Sequence, residues 1–214
     1  MDNKIKSKSA FTLAEVLITL VIIGVVAALT IPTAINRMQR EELRSQFKKA
    51  VSVTYQTIQK MKADNGDLVL DYNNDTVPIF RERFMSYFHV TCKQNCVNLS
   101  KYRNFNDTDR PSNSWEGTFF TGIFLVQDGM AFGFDFSYQN ALYITVDING
   151  PGKKPNRLGY DVFSFFVRGT QIYPCEPGVP ASTIVCSSTS SAYFNGYGCT
   201  KQAMSDENYF KNLP

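Results

Sequence analysis

Histidine and tryptophan are almost missing from this chain of 214 residues, with His89 and Trp115 the single examples. One histidine excludes every multi-histidine metal site, and any Cys/His or Ser/His catalytic pair would have to use His89 itself. No neighbour of His89 in sequence completes such a pair. Excess positive charge is scarce too. The net charge is +3, and residues 1–10, with Lys4, Lys6 and Lys8 against Asp2, hold +2 of it. What remains has no basic patch dense enough to neutralise phosphates, so nucleic acid is not an expected partner. Internal repeats are absent. Charged residues are only 19% of the chain and hydrophobic ones 43%, a balance that suits a folded protein rather than a disordered one.

What is present is one long apolar run, inside the stretch SAFTLAEVLITLVIIGVVAALTIP at residues 9–32. From Phe11 to Ile31 it counts 21 residues, about 31 Å as a helix and enough to span a bilayer's hydrocarbon region. A single carboxylate, Glu15, interrupts it. A charge at the bilayer centre costs at least ~2.5–3.5 kcal/mol, so such residues are rare and usually have a task. Alternatively Glu15 lies near enough to the helix end to snorkel without a partner. Residues 1–10 look like the positive leader of an export signal, but no small-residue cleavage site follows the apolar run. The small residue that could mark cleavage, Ala10, precedes it. The basic leader keeps the N-terminus cytoplasmic and sends the remainder outward.

Past Pro32 the helical pattern continues in a different dress. Ile35, Met38, Leu43, Phe47, Val51, Thr54, Ile58 and Met61 recur every three to five residues among arginines, lysines and glutamates, which predicts an amphipathic helix with one buried stripe. Asp64-Asn65-Gly66-Asp67 supplies the stop. One helix of roughly 50 residues, about 75–80 Å long, therefore runs from Phe11 to about Ala63, and Pro32 is where it could kink. The expected division is a leader at 1–10, a membrane and assembly helix at 11–32, the amphipathic half of the same helix at 33–63, and a strand-rich exported domain at 64–214.

In that domain IFRERFMSYFH (79–89) suits a short helix. TFFTGIFLVQ and MAFGFDF, joined through Asp128-Gly129, predict a hairpin with a type I′ turn. ALYITVDI and DVFSFFVRG add two strands, and the lack of helices between strands argues for an antiparallel sheet. The last forty or so residues, rich in Ser, Gly, Pro, Asn and Cys, read as a loop region held by disulfides. The five cysteines are Cys92, Cys96, Cys175, Cys186 and Cys199; in an oxidising compartment they form at most two bridges and leave one thiol, and their spacing does not choose the pairing. His89, Cys92 and Cys96 could instead offer three zinc ligands, with a fourth from elsewhere. Asp147, Asn149 and Asp161, in the loop-like DINGPGKKPNRLGYD, could gather around Ca²⁺ with backbone carbonyls, or simply stabilise a strand connection. Trp115 and the many Tyr and Phe residues suit core and surface contacts more than a binding platform.

The N-terminal residues resemble the type IV prepilin signature of type IV pilins and type II secretion pseudopilins. Those families carry a short basic leader, a small residue before the cut, then Phe, Thr-Leu, and Glu at the fifth mature position. Here Ala10 is followed by Phe11, Thr12 and Leu13, with Glu15 fifth and Pro32 at a position where the family often has proline. The departures are Ala10 where glycine is usual and Ala14 where a larger apolar residue is common. The resemblance implies cleavage between Ala10 and Phe11 by a prepilin peptidase, N-methylation of Phe11, and polymerisation into a filament. There Glu15 would meet the Phe11 ammonium of a neighbouring subunit and set axial register, since breaking a buried ion pair costs ~3–5 kcal/mol. It implies an α+β, pilin-like fold: one long helix on an antiparallel sheet with a disulfide-stabilised C-terminal loop region. It further implies a non-enzymatic, single-pass protein of the bacterial inner membrane. Its partners would be copies of itself, the peptidase, a platform protein and an assembly ATPase. Major pseudopilins are known for a calcium-binding loop late in the sheet, which the Asp147–Asp161 stretch would match; a cysteine-closed C-terminal region matches pilins. The rival from another class is an exported enzyme or binding protein on a single-span anchor.

Overall fold

A computed structural model describes residues 11–66, 76–94, 96–108, 121–137 and 141–214. The leader with Ala10, Asp67, Trp115 and the first residues of TFFTGIFLVQ lie outside them. The chain divides into two units, residues 1–40 and 41–214.

Helix α1 (Leu13–Asn65) passes through both. In the first unit it carries the apolar run, and its side chains from Leu13 to Ile31 are largely exposed, as suits a segment with no protein around it. By length and composition it can cross a membrane. The helix continues unbroken through Pro32, although proline has no N–H to give to the carbonyl of Ala28. It ends where Gly66 takes a left-handed φ of 73°, the usual glycine terminator.

In the second unit α1 buries Phe47, Ala50, Thr54, Ile58 and Met61, a stripe at intervals of three and four. The Thr54 hydroxyl on that face donates to the Ala50 carbonyl at 2.7 Å, so burying it leaves no polar group unmatched. Ile35 and Met38, expected in the same stripe, are 47% and 72% exposed. The buried stripe starts only at Leu43, which is partly covered.

Helix α2 (Thr76–Met85) begins and ends earlier than the periodicity of 79–89 suggested. Its last turn tightens, with Tyr87 and Phe88 donating to carbonyls three residues back. Six strands follow in a meander: β1 (Val90–Cys92), β2 (Thr121–Val126), β3 (Ala131–Ser137), β4 (Ala141–Asp147), β5 (Val162–Arg168) and β6 (Gln171–Pro174). Every neighbouring pair is antiparallel. Short strands β7 (Ile184–Val185) and β8 (Phe194–Asn195) pair in parallel beside it, and helix α3 (Cys199–Ser205) precedes the C-terminal turn.

The β2–β3 hairpin is not the predicted type I′ turn. Only Gly129 has a positive φ, 91°, and its N–H donates to Val126, giving a three-residue loop closed by a left-handed glycine. Asp128 stays in ordinary backbone space while its carboxylate accepts from the Met130 N–H at 3.2 Å and pairs with Lys49 of α1 at 2.7 Å.

Both faces of the sheet are covered, which is why ALYITVD is buried at every position instead of alternating. On one face α1 and α2 pack Phe47 against Phe163 (centroids 4.4 Å) and Phe84 against Phe132 and Phe134. On the other, Tyr102, Leu158, Cys175, Ile184 and Tyr197 close over Tyr143 and Phe166. Each fully buried aromatic contributes about 1.5–3 kcal/mol, so the C-terminal loops act as a second core layer, not as an appendage. The bridges are Cys92–Cys96 and Cys186–Cys199, and Cys175 is the buried free thiol. Two sulfurs bonded to each other do not ligate zinc, so the zinc reading of His89, Cys92 and Cys96 falls away; His89 itself is exposed.

Candidate assembly and processing site

The first turn of α1 is organised around Glu15. Thr12 precedes the helix, and its backbone N–H and hydroxyl both donate to Glu15 Oε2, at 2.8 and 2.9 Å. The Glu15 N–H returns a bond to Thr12 Oγ1 at 3.3 Å. This reciprocal Thr-x-x-Glu arrangement is a capping box, which satisfies N–H groups that have no carbonyl of their own at a helix start. The carboxylate therefore has partners within its own chain before any second subunit is considered. Further along the apolar run the Thr19 and Thr30 hydroxyls donate back to the Val16 and Val26 carbonyls, so the polar groups there are satisfied inside the segment, as a lipid environment demands. Phe11, just ahead of the cap, is 86% exposed. Thr12's part in the cap is signalled in the sequence only by the Ser/Thr-x-x-Glu spacing of Thr12 and Glu15.

Residues 5–31 match the family model for the prokaryotic N-terminal methylation motif. That match decides the segment's nature. Residues 5–31 carry the type IV prepilin-like signature. No curated protein and no solved structure matches the chain. The prepilin-like signature implies processing by a prepilin peptidase and polymerisation into a filament, and proteins that carry it are structural subunits. The apolar helix is suited by length and composition to anchoring in a membrane.

A second constellation lies in the β4–β5 connection. Asp147, ending β4, and Asp161, before β5, are both fully buried. The Asp147 carboxylate accepts from the Tyr102 hydroxyl at 2.5 Å and the Gly150 N–H at 2.8 Å. Asp161 accepts from the N–H groups of Asn156 and Arg157, at 2.8 and 2.6 Å, and from the Asn149 amide. Burial, then the neighbouring Asp161 charge, raises the Asp147 carboxyl above its ordinary range; burial also raises Asp161, against the N–H groups of Arg157 and Asn156. Burial, then the charges of both aspartates, raises the Tyr102 phenol. The amide oxygens of Asn149 and Asn156 have no hydrogen-bond partner among the described residues. Two carboxylates and two unmatched amide oxygens are an oxygen-only donor set of the kind Ca²⁺ takes. Only two acids contribute, and no group of three or more His, Cys, Asp or Glu side chains with metal-site spacing occurs among the described residues. Gly150 explains the loop's tight fit: its φ is 84°, and a Cβ there would meet the Gly129 carbonyl oxygen at 2.1 Å.

Of the residues nominated from sequence, Thr12's partner Glu15 stands at the helix start, Pro32 stands mid-helix without a partner of note, and Asp147, Asn149 and Asp161 converge. Ala10 lies outside the described residues.

Proposed function

We propose that the chain is a structural subunit, not an enzyme, of a type II secretion pseudopilus. A prepilin peptidase cuts between Ala10 and Phe11, the new amino group of Phe11 is methylated, and subunits polymerise outward from the inner membrane with a platform protein and an assembly ATPase. The leader is cytoplasmic, residues 11–32 span the membrane, and the amphipathic half-helix at 33–63 and the domain at 64–214 are exported. The observation that carries the subunit reading is the methylation motif at residues 5–31. Within that class the buried Asp147–Asp161 loop supports a pseudopilin, and we assign it, with Asn149 and Asn156, as a calcium site. The Cys186–Cys199 bridge supports a second reading, a surface type IV pilin for adhesion, motility or DNA uptake.

The full chain expressed with and without a prepilin peptidase tests the proposal by mass spectrometry of its first residue. An N-methylated Phe11 appearing only with the peptidase is expected. A Met1 start beside a working peptidase would overturn it and leave a single-span anchor on an exported enzyme or binding protein.

A further inference from the structure

The Cys92–Cys96 bridge lies where β1 forms one edge of the sheet, and a buried arginine from α2 reaches into the loop it closes. Arg81 is 8% exposed, on the same covered side of α2 as Phe80 and Phe84. Its Nε donates to the Gly122 carbonyl of β2 at 2.6 Å, and one Nη donates to the Lys93 carbonyl between the two cysteines. The other Nη meets Glu82 at 3.0 Å, but that carboxylate is 65% exposed and screened by water, so it is a weak partner. The place is shaped for this guanidinium. Gly122 has a φ of 69°, a Cβ there would stand 2.5 Å from Arg81 Cδ, and β2 shifts register across it. Helix α2, strand β1 and strand β2 therefore meet on one side chain, and a disulfide fixes one of its two carbonyl acceptors.

The two bridges differ in access. Cys92 and Cys96 are both partly exposed, with Lys93 and Gln94 exposed between them, whereas Cys199 of the other bridge is fully buried. Exchange needs a thiolate to reach a sulfur, so a dithiol meets Cys92–Cys96 first. We propose that Cys92–Cys96 is a reducible latch. Oxidised, it presents the Lys93 carbonyl to Arg81 and holds α2 against the β1–β2 edge; reduced, it lets both go. The electrons come from an exported dithiol protein of the thioredoxin class. One of its thiolates attacks a bridge sulfur, the S–S bond breaks, and the other cysteine leaves as a thiolate that takes up a proton. The reductant's second thiol, giving up its proton, then displaces the first cysteine from the mixed disulfide. Two electrons and two protons pass to the bridge, and the reductant departs as its own disulfide. With the loop open, nothing fixes the Lys93 carbonyl in front of Arg81. A buried donor without its acceptor is costly, so the guanidinium turns to water and α2 loosens with it. The central pairs β3–β4 and β4–β5 do not contain the loop and stay intact. The redox state of the compartment thereby sets whether this edge of the sheet is closed.

The test treats the full chain in detergent with graded dithiothreitol, quenches it in acid, alkylates it under denaturing conditions and maps the labelled cysteines by mass spectrometry. Cys92 and Cys96 are expected to label at about a tenfold lower dithiothreitol concentration than Cys186 and Cys199. In the selectively reduced protein, hydrogen exchange over residues 76–92 is expected to rise about tenfold or more, with residues 141–147 and 162–168 unchanged. Cys92→Ser with Cys96→Ser is expected to give the same pattern without reductant. Arg81→Met is expected to give it in the oxidised protein, with no further rise on reduction. Reduction of Cys186–Cys199 first would overturn the latch, as would unchanged exchange over 76–92 in both the reduced wild type and the double-serine variant. A further rise on reducing Arg81→Met would overturn the part given to the guanidinium. No arm needs a filament, so the subunit reading stands or falls separately.

Discussion

At Glu15 the carboxylate sits three residues into α1, where the first N–H groups have no carbonyl acceptor of their own. Thr12 turns that position from a liability into a partnered one, by giving the carboxylate two donors and taking one back. The bare cost of ~2.5–3.5 kcal/mol applies to a charge at the bilayer centre; Glu15 is in the first turn and already hydrogen-bonded, so its cost is smaller. The same geometry bears on assembly. Cleavage after Ala10 would leave a new ammonium one residue before Thr12, close to the capped carboxylate. Glu15 would then reach the filament already oriented, exchanging its own chain's donors for a neighbour's ammonium. Thr12→Val removes the hydroxyl and keeps the backbone N–H, and losing a threonine cap typically costs ~1 kcal/mol. Filament yield, read by shearing and immunoblot, is expected to fall several-fold while N-terminal processing continues, and Thr12→Ser is expected to restore it. Equal yields for Val and Ser would show that the hydroxyl does not position Glu15.

The connection between β4 and β5 shows how an element can be organised around groups that are costly to bury. Asp147 and Asp161 share the site without a cation from any described ion pair, and burial raises Asp147 to about 8 and Asp161 to about 6. A carboxyl raised above its unfolded value of 3.8 binds its proton more tightly in the folded state. Its contribution to stability is complete below the unfolded value and is lost as pH rises through the folded one. In chelator, the melting temperature of the full chain in detergent is expected to fall between about pH 4 and about pH 8. Asp147→Asn is expected to flatten that fall, because its amide keeps a bond to Gly150 without the charge. Ca²⁺ is expected to raise the melting temperature more at the alkaline end, where both carboxylates are ionised and ready to ligate. A melting temperature that rises with pH in chelator would refute the protonated pair, and no response to Ca²⁺ would remove the metal. This loop was only half legible in sequence. Asp147, Asn149 and Asp161 stood out as oxygen ligands, and Asn156 lies in the same loop without having been singled out; Tyr102 joins the site from 45 residues away, through tertiary folding that spacing does not reveal. Helix α1 was legible to within about two residues at each end, because a long apolar run and a glycine stop are local signals. The β2–β3 turn was misjudged because the Asp-Gly pair does not state the loop length, and the loop is three residues closed by a left-handed Gly129. The antiparallel pairing and strands β2 to β5 were foreseen, the edge strands β1 and β6 were not, and neither was the cover on the second face, since nothing in a Ser/Gly-rich tail announces that Tyr197, Ile184 and Cys175 are core.

Over the whole molecule, charge and cysteine chemistry report on the same event, export. Lys4, Lys6 and Lys8 precede the apolar run, whereas Arg37 and Arg40 are the first basic residues after it. The bias that keeps residues 1–10 inside is therefore narrow, three against two within ten residues of each end, and the leader supplies all of it. A domain delivered to an oxidising compartment closes Cys92–Cys96 and Cys186–Cys199 and keeps one thiol, Cys175, whereas a domain left in a reducing cytoplasm keeps all five. The two bridges are unequal: by loop length Cys186–Cys199, spanning 13 residues, is worth about 3 kcal/mol and Cys92–Cys96, spanning four, about 2. The wider bridge also ties α3 and the C-terminal turn to the second core layer, so a chain without it loses stability as well as topology. Replacing Lys4, Lys6 and Lys8 with glutamine leaves no basic residue against two, reversing the bias, and is expected to strand a fraction of chains in the opposite orientation. Denaturing the cells in acid and labelling with a maleimide-linked polymer counts free thiols chain by chain. The wild type is expected to give one adduct, and the glutamine variant a second population with five. A single one-adduct population in the variant would show that the apolar helix and its export route set orientation without help from the leader's charge.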